Sequence, residues 1–402
     1  MLLAAWTSSS LAGASDEPFF ACNPVFPREP YHNHASSIVE TPRGQLLVCW
    51  FHGSGERTAD DVAVLGARLR RHEAKWSAPF EMADTPGFPD CNPVLFVDPR
   101  GELWFFHITI LANTWESSLL KCRVSSDFEH PGVPRWKSSE VITLKPGKAF
   151  TDAIQAALPE YEKAALAAKP TLSNTVWREV EDSINGLHAG VTNKLYCRLG
   201  WMTRIHPMVL DGSRLILPVY HDGFSCSLFA ITDDWGAHWH TSLPLIGGGN
   251  IQPSLALRRD GSLFTIMRDN GPPPHRAMSA ESRDRGETWS AVVDTQVPNP
   301  GSSLEVIVLR DHRWMLVGND SENNRRTLVA WTSDDEGQSW VWRRTLAKSD
   351  LQADSFSYPS CIQTRDGRIH VTFSAAGKGQ STILHCEFNE HWLMSPEARR
   401  IE

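Results

Sequence analysis

TDDWGAHW (residues 232–239), SRDRGETW (282–289) and SDDEGQSW (333–340) share one grammar. A small hydroxyl residue is followed two positions on by Asp, two further by Gly and three further by Trp. The matches are Thr232-Asp234-Gly236-Trp239, Ser282-Asp284-Gly286-Trp289 and Ser333-Asp335-Gly337-Trp340. They begin at 232, 282 and 333, so 50 and 51 residues apart, a period that suits one four-stranded propeller blade. Asp and Gly favour a tight turn between two strands, and the Trp brings a large apolar group to cover the hairpin. The pattern therefore punctuates a fold and has no chemistry of its own. Degenerate relatives stand at Lys75-Trp76-Ser77 and Arg135-Trp136-Lys137.

A second repeat counts the blades. Turns at Pro42-Arg43-Gly44, Pro99-Arg100-Gly101, Asp211-Gly212, Asp260-Gly261, Asp311-His312 and Asp366-Gly367 each join two apolar runs. The runs that follow them read QLLVCWF, ELWFFHI, RLILPVY, SLFTIM, RWMLVG and RIHVTF, as inner strands buried on both faces do. Six hairpins predict an all-β, six-bladed β-propeller formed by residues 21–402. The interval from Gly101 to Gly212 is 111 residues, about twice a blade. Its excess, near 138–195, contains FTDAIQAALPEYEKAALAAKP and TVWREVEDSINGLHAG, which read as helices with Pro or Gly near their ends. The prediction is a helical insertion on one blade connection; a decayed seventh blade is the alternative.

The composition excludes several classes. The 402 residues carry a net charge of −8, so no basic footprint points to nucleic acid. No apolar run reaches the length of about 18 residues that a membrane-spanning helix needs. The eight cysteines include no CxxC pair, so no zinc site of that pattern is expected, and disulfides stay open. No nucleotide, flavin or metal motif is present, so no cofactor is expected. Residues 1–20 open with a short apolar stretch and small residues, as the end of a secretory signal does, but without a charged leader. That leans toward a secreted or periplasmic compartment; a frayed terminus is the other reading.

Propeller geometry narrows the search for a site. The residues that enter the first strand of each blade, or leave the second, ring the axis at one end. Those entering are Asn33-His34, Asn92-Pro93, His206-Pro207, Gln252-Pro253, Asn299-Pro300 and Tyr358-Pro359. Those leaving are His52, His107, Tyr220-His221-Asp222, Arg268-Asp269-Asn270, Asn319-Asp320 and Ser374. Arg204, Arg325 and Arg326 lie close by in sequence. The set describes a polar cup, and its guanidinium groups favour a carboxylate-bearing ligand. Trp50, Trp115 and Trp201 are candidate stacking platforms.

The boxes, the hairpins, QPSLALRRDGSLFTIMRDNG (252–271) and SYPSCIQTRDGRIH (357–370) resemble the sialidase superfamily, and in particular the bacterial sialidase-like proteins with Asp-box (BNR) repeats. The resemblance implies an arginine triad for a substrate carboxylate, a Tyr nucleophile paired with Glu, and an Asp acid. Carried over, Arg268 matches the second arginine, Arg326 or Arg325 the third, and Tyr358 the nucleophile. The acid falls at Asp60 or Asp61. Two positions depart from that pattern. Asn33-His34-Ala35 stands where Arg-Ile-Pro is expected, and Gln252, a poor base, stands where the Glu is expected.

Three functions follow. One is a glycoside hydrolase acting on an anionic or unusual sugar. It would use Arg204, Arg268, Arg325 and Arg326 with Gln252, Asn92 and His107 for binding, and Asp60 or Asp61 and Tyr358 for chemistry. A second is a polysaccharide lyase in which His34, His206 and Tyr220 move protons during β-elimination. A third is a non-catalytic carbohydrate-binding propeller. In all three the partner is a carbohydrate.

Overall fold

In the computed structural model, residues 17–395 and 399–400 are described. They form six antiparallel sheets, and each packs on the next around a closed ring. Blade 1 is His32–Glu40, Leu46–Gly53, Ala63–Leu69 and Phe80–Ala83; blade 2 is Asp90–Val97, Leu103–Ile110, Ser118–Ser125 and Ser138–Val141. In blade 3 the inner strand is split into Met202–Thr203 and Met208–Leu210, ahead of Arg214–His221, Cys226–Thr232 and His240–Thr241. Blade 4 is Asn250–Leu257, Leu263–Asp269, Arg276–Ser282 and Val293–Pro298. Blade 5 is Glu305–Val308, Trp314–Asn319, Thr327–Ser333 and Trp342–Lys348, with Arg399–Arg400 added at its edge.

Blade 6 is made from both ends of the chain. Ser355–Gln363, Ile369–Gly377 and Gln380–Phe388 take their outermost partner from Phe20–Pro24. Cys22 faces Cys386 in that pairing and is disulfide-bonded to it across 364 residues of sequence. A cross-link over so long a loop removes chain entropy from the unfolded state, so it locks the ring. The six other cysteines are free and buried. The propeller thus begins at Phe20, inside the stretch assigned to an N-terminal segment, and residues 1–16 of that stretch lie outside the described residues.

The three boxes form one turn three times, between the third and fourth strands. The hydroxyls of Thr232, Ser282 and Ser333 accept the N–H groups of Gly236, Gly286 and Gly337 at 2.8, 2.9 and 2.8 Å. Asp234, Asp284 and Asp335 accept from the hydroxyl and from the backbone N–H of His238, Thr288 and Ser339. The Trp reaches across to the preceding blade and does not simply cover its own hairpin: Trp289 of blade 4 stacks on Phe229 of blade 3 with centroids 4.5 Å apart. In blades 1 and 2 Trp76 and Trp136 sit at the equivalent connections, Trp136 stacked on Phe105.

The long interval holds two helices, Lys148–Ala168 and Asn174–Thr192, between blades 2 and 3. The sequence placed the insertion from 138, but Ser138–Val141 pairs with Ser118–Ser125 as the outer strand of blade 2. The first helix buries Phe150, Ile154 and Leu158, four residues apart on one stripe, and Phe150 meets Trp201 and Phe224.

Toward the axis the inner strands are bulged. Register breaks lie between His34 and Ser37, Cys91 and Val94, Ile251 and Ser254, and Ser357 and Ser360. Within each break one residue is left-handed: Ala35 (φ 56°), Asn92 (48°), Gln252 (54°) and Tyr358 (57°). A bulge re-aims a side chain and leaves its neighbour unpaired, so the Pro that follows three of them loses no ladder bond. Below the bulges the blades are sewn together. Ser37, Ser254 and Ser360 accept backbone N–H groups of Leu95, Val306 and Ile38 in the adjacent blade at 3.0, 3.0 and 3.1 Å. Glu305 takes the same place in blade 5 and accepts Cys361 N–H at 2.7 Å. His206 crosses the axis, with Nδ1 2.6 Å from Glu305 Oε1 and Nε2 3.0 Å from the Ile38 carbonyl.

Two substitutions test this scaffold. Gly337 has φ 84°, and an added Cβ would stand 2.8 Å from the Trp314 ring. Gly337→Ala is expected to lower the unfolding free energy by about 1–3 kcal/mol in urea titration, and an unchanged midpoint would contradict the packing described. Glu305→Ala strips the buried counter-charge from His206 and the neighbouring Arg204. The expected loss is about 3–5 kcal/mol, read the same way, against near-neutral change for exposed Glu73→Ala.

Candidate functional site in the axial cup

Tyr358 is the node of the cup. Its bulge lifts the phenol to the axis, where Arg268 Nη1 donates to the hydroxyl at 2.8 Å and Gln252 Nε2 donates at 3.2 Å. The same Gln252 amide reaches the Tyr220 hydroxyl at 3.2 Å, and Asn92 Nδ2 donates to that hydroxyl at 3.0 Å. Three bulge residues from three blades therefore meet in one hydrogen-bonded chain. The His34 ring lies 4.2 Å from the Tyr358 ring, and Arg204 and Arg325 lie over it at 5.2 and 5.6 Å.

The arginines differ in what they are free to do. Arg204 is buried beneath the phenol and donates to the carbonyls of Tyr358 and Pro359 at 2.6 and 3.1 Å, so it positions the tyrosine. Arg325 donates to the Gly301 carbonyl at 2.6 Å and faces Tyr358, Arg268 and Glu56. Arg326 turns the other way, toward Asn324 and the Asp350 carbonyl at the blade edge. The two side chains diverge from the bend ahead of the strand Thr327–Ser333, so only Arg325 reaches the cup. Arg268 keeps a buried Nε without a partner among the described residues.

Two carboxyl groups complete the site. Asp222, at the end of the second strand of blade 3, is pushed up to about 6, by burial first and then by the charges of Glu116 and Glu56 against those of Arg268 and Arg57. Its Oδ1 is buried without a hydrogen-bond partner among the described residues. Glu56 comes from the loop after the second strand of blade 1. Burial pushes it up, but the His32 imidazole 3.5 Å away and the Arg57 guanidinium outweigh that and hold it at about 2. Burial drives the His34 imidazole well below its usual value, so it is neutral beside the phenol. Tyr220 is driven well above the ordinary phenol range, by burial first and then by Asp222.

Other sequence candidates lie elsewhere. Asp61 accepts from the N–H and hydroxyl of Ser54, and Asp60 from Asn113, on the exposed outside of the loop that carries Glu56. His107 is fully buried within blade 2, stacked on Phe105 and 3.9 Å from Asp90, away from Tyr358. His206 is engaged at both ring nitrogens by the scaffold, Nδ1 against Glu305 and Nε2 against the Ile38 carbonyl and the Ser37 hydroxyl. Trp50 donates to Asn33 and Trp201 to the Cys197 carbonyl, both in the core. Trp115 is half-buried at the rim with Arg57 over its ring. Counting from the bulges, Ala35 is the blade 1 counterpart of Tyr358, two residues on from Asn33, which the sequence paired with it.

Glu56, Arg57 and Asp222 carry the charge that the sequence reading did not assign. Asp222 stood among the residues leaving a second strand, so its position was visible while its burial was not. Nothing in the loop Ser54–Asp61 distinguishes which of three acids turns inward.

The sequence pattern of the BNR repeat-like domain matches residues 44–169 and 193–371. The gap between the two stretches covers the whole of the second inserted helix. No curated protein sequence matches the chain significantly. Among solved structures, a Dyadobacter fermentans protein described as of unknown function superposes with a TM-score of 0.66 at 12% identity, covering 92% of this chain and 97% of that one. The NanB sialidase of Streptococcus pneumoniae gives 0.66 at 11% identity over 90% of this chain and 69% of its own. An α-L-arabinofuranosidase from Fusarium graminearum gives 0.57 at 12% identity over 92% and 97%. Identities this low speak for the fold alone, a sialidase-like six-bladed propeller. The matched stretches span well over half of the 402 residues, and the chain therefore belongs to the BNR repeat-like domain family.

Proposed function

We propose that the protein is a glycoside hydrolase that takes an anionic sugar into the axial cup. The observation that carries this reading is the pair of carboxyls, Asp222 at about 6 and Glu56 at about 2, beside Arg268, Arg325 and Arg57. Hydrolysis of a glycosidic bond uses one protonated and one ionised carboxyl across that bond, and an environment that drives their pKa values apart assigns the roles. Asp222 is the acid that protonates the leaving oxygen. Glu56 is the ionised partner. Arg268 and Arg325 pair with the carboxylate of the sugar. The neighbours described as a sialidase and an α-L-arabinofuranosidase are glycosidases by name, which supports the class.

Tyr358 plays a different part here from the one the sialidase resemblance implies. A phenol attacks at neutral pH only with a base to take its proton, and Gln252 is an amide that donates to the hydroxyl. Tyr358, held by Arg204 and Arg268, then serves as a fixed polar wall against the sugar ring.

The reading is tested with sialyllactose, polysialic acid, polygalacturonate and alginate. New reducing ends without an unsaturated uronate support a hydrolase. Absorbance of an unsaturated uronate turns the assignment to a lyase, and binding without either product turns it to a lectin-like propeller. For the active substrate, Asp222 must be protonated, so kcat/KM should be level below pH about 6 and fall as pH rises above it. Asp222→Asn should lower kcat by roughly 100- to 10,000-fold and remove that limb. An unchanged limb in the variant would rule out Asp222 as the acid. Arg268→Ala should raise KM for the anionic substrate by roughly tenfold or more, and an unchanged KM would remove it from the binding role.

A further inference from the structure

Outside the cup, the blade 2–3 side of the molecule carries a run of adjacent clefts. The first, of 340 Å³, is lined by Thr114, Glu116 and Tyr196 and by Leu195 and Leu199. Glu116 and Tyr196 also pack against Gly223, the residue after Asp222, so this cleft lies beside the turn that carries that carboxyl. Leu195 and Leu199 are shared with a second cleft of 370 Å³, and that cleft shares Val141, Ile142, Thr143 and Lys145 with a third of 810 Å³. The third ends at Trp104, Trp235 and Trp239, below the box of blade 3. Shared lining residues place the three clefts next to one another along the blade 2–3 seam, from the turn that carries Asp222 to a tryptophan platform.

The end of this run is built for a ligand with both apolar faces and hydroxyls. Trp235 and Trp239 are half-buried and both line the cleft. Arg100 holds the Trp235 ring from one side, 3.9 Å from its centroid. Trp289, the counterpart of Trp239 in blade 4, donates its indole N–H to the Gly286 carbonyl. Among the described residues, neither Trp235 nor Trp239 donates its indole N–H to a protein acceptor. Glu140, Lys145, Thr241 and His240 supply donors and acceptors around them. Flat aromatic faces rimmed by polar groups suit pyranose rings, which present C–H faces and equatorial hydroxyls.

We infer that the groove binds the rest of a polymeric glycan whose end lies in the cup, so that the enzyme grips a polysaccharide along the blade 2–3 seam. This rests on the cup being a glycan site, and it adds the substrate class: a chain several sugars long. Binding energy from such remote units is available to orient the reacting bond.

The test uses the full chain carrying Asp222→Asn, so that bound glycan stays intact. Affinity is measured by calorimetry for polysialic acid, polygalacturonate and alginate, and for sialyllactose and tri-galacturonate as short probes. Trp235→Asn keeps a residue that tolerates the left-handed turn at this position (φ 57°). It should weaken binding of the preferred polymer by roughly tenfold and leave the matching short probe within about twofold. Lys145→Glu, on the stretch shared by two clefts, should weaken the polymer in the same way and needs no change in the box turn. Equal polymer affinity in both variants overturns the groove, as does the absence of polymer binding or an equal loss for the short probe. Polymer binding that survives Arg268→Ala but is lost in Trp235→Asn upholds the groove and removes the cup reading. The reverse removes the groove alone.

Discussion

Six sheets standing around one axis leave six inner strands with an edge that no further strand can pair, and buried N–H groups do not stay unpaired. Here an inner-strand side chain accepts the backbone N–H of the next blade, and in blades 1, 4 and 6 it lies two residues beyond the bulge residue. Ser37, Ser254, Glu305 and Ser360 do this with Leu95, Val306, Cys361 and Ile38. A serine there needs nothing more. A glutamate brings a buried charge, and the structure answers it with His206 and Arg204, so that burial is outweighed and the carboxyl sits below its ordinary range. The seam and the floor of the cup are therefore one network. Arg204 completes both, since it faces Glu305 and also holds the Tyr358 carbonyl.

The bulges turn that constraint into a site. Placing one residue at positive φ just above the seam sends its side chain toward the axis in blades 2, 4 and 6. Asn92, Gln252 and Tyr358 meet in one hydrogen-bonded chain for this reason. Blade 1 spends its bulge on Ala35, a buried methyl group at φ 56°. The space beside it is taken by the His34 ring, packed on Tyr358. A neutral imidazole stands there where the sialidase pattern has a guanidinium, and the positive charge of the cup comes instead from Arg268, Arg325 and Arg57.

What could be read from sequence divides along the range of the interaction. The boxes and hairpins are local: each is fixed by a hydroxyl, an Asp and a turn residue within eight positions, so fold and blade number were legible. Even the exception obeys the rule, since His312 occupies the left-handed turn position of the fifth hairpin at φ 69°. The polar-Pro pairs were the visible trace of the bulges, and they led to Asn92, Gln252 and Tyr358. Loop side chains were not legible. Glu56 and Asp61 lie on one short loop, and only the tertiary fold sends one to His32 in the cup and the other to Ser54. The sequence set His107 beside Tyr220 among the residues leaving a second strand, but it lies within Leu103–Ile110, three residues short of its end, and is buried in the blade. Tertiary burial, which sets the Asp222 carboxyl, has no signature in the order of the residues.

The helical insertion ties the scaffold to the chemistry. Asp222 lies in the turn that joins the second and third strands of blade 3, where Ser225 N–H bonds back to its carbonyl at 2.9 Å. That turn rests on rings. Phe224 N–H donates to His221 Nδ1 at 3.1 Å, His221 packs against Trp201 and Tyr196, and Phe150 of the first inserted helix closes over Phe224 and Trp201. Burial holds His221 at about 3, so it remains a neutral acceptor in this stack. Gly223 has no room for a side chain, because a Cβ there would fall 1.8 Å from the Tyr196 hydroxyl. The insertion therefore presses the turn from outside and withdraws water from the Asp222 carboxyl, which is raised toward neutral pH. An open loop in the same place would leave Asp222 solvated, ionised near its ordinary value and unable to carry a proton at neutral pH. The insertion interrupts the repeat at the one blade whose second strand ends in that aspartate. The departure from propeller regularity and the unusual acidity thus have a single structural cause.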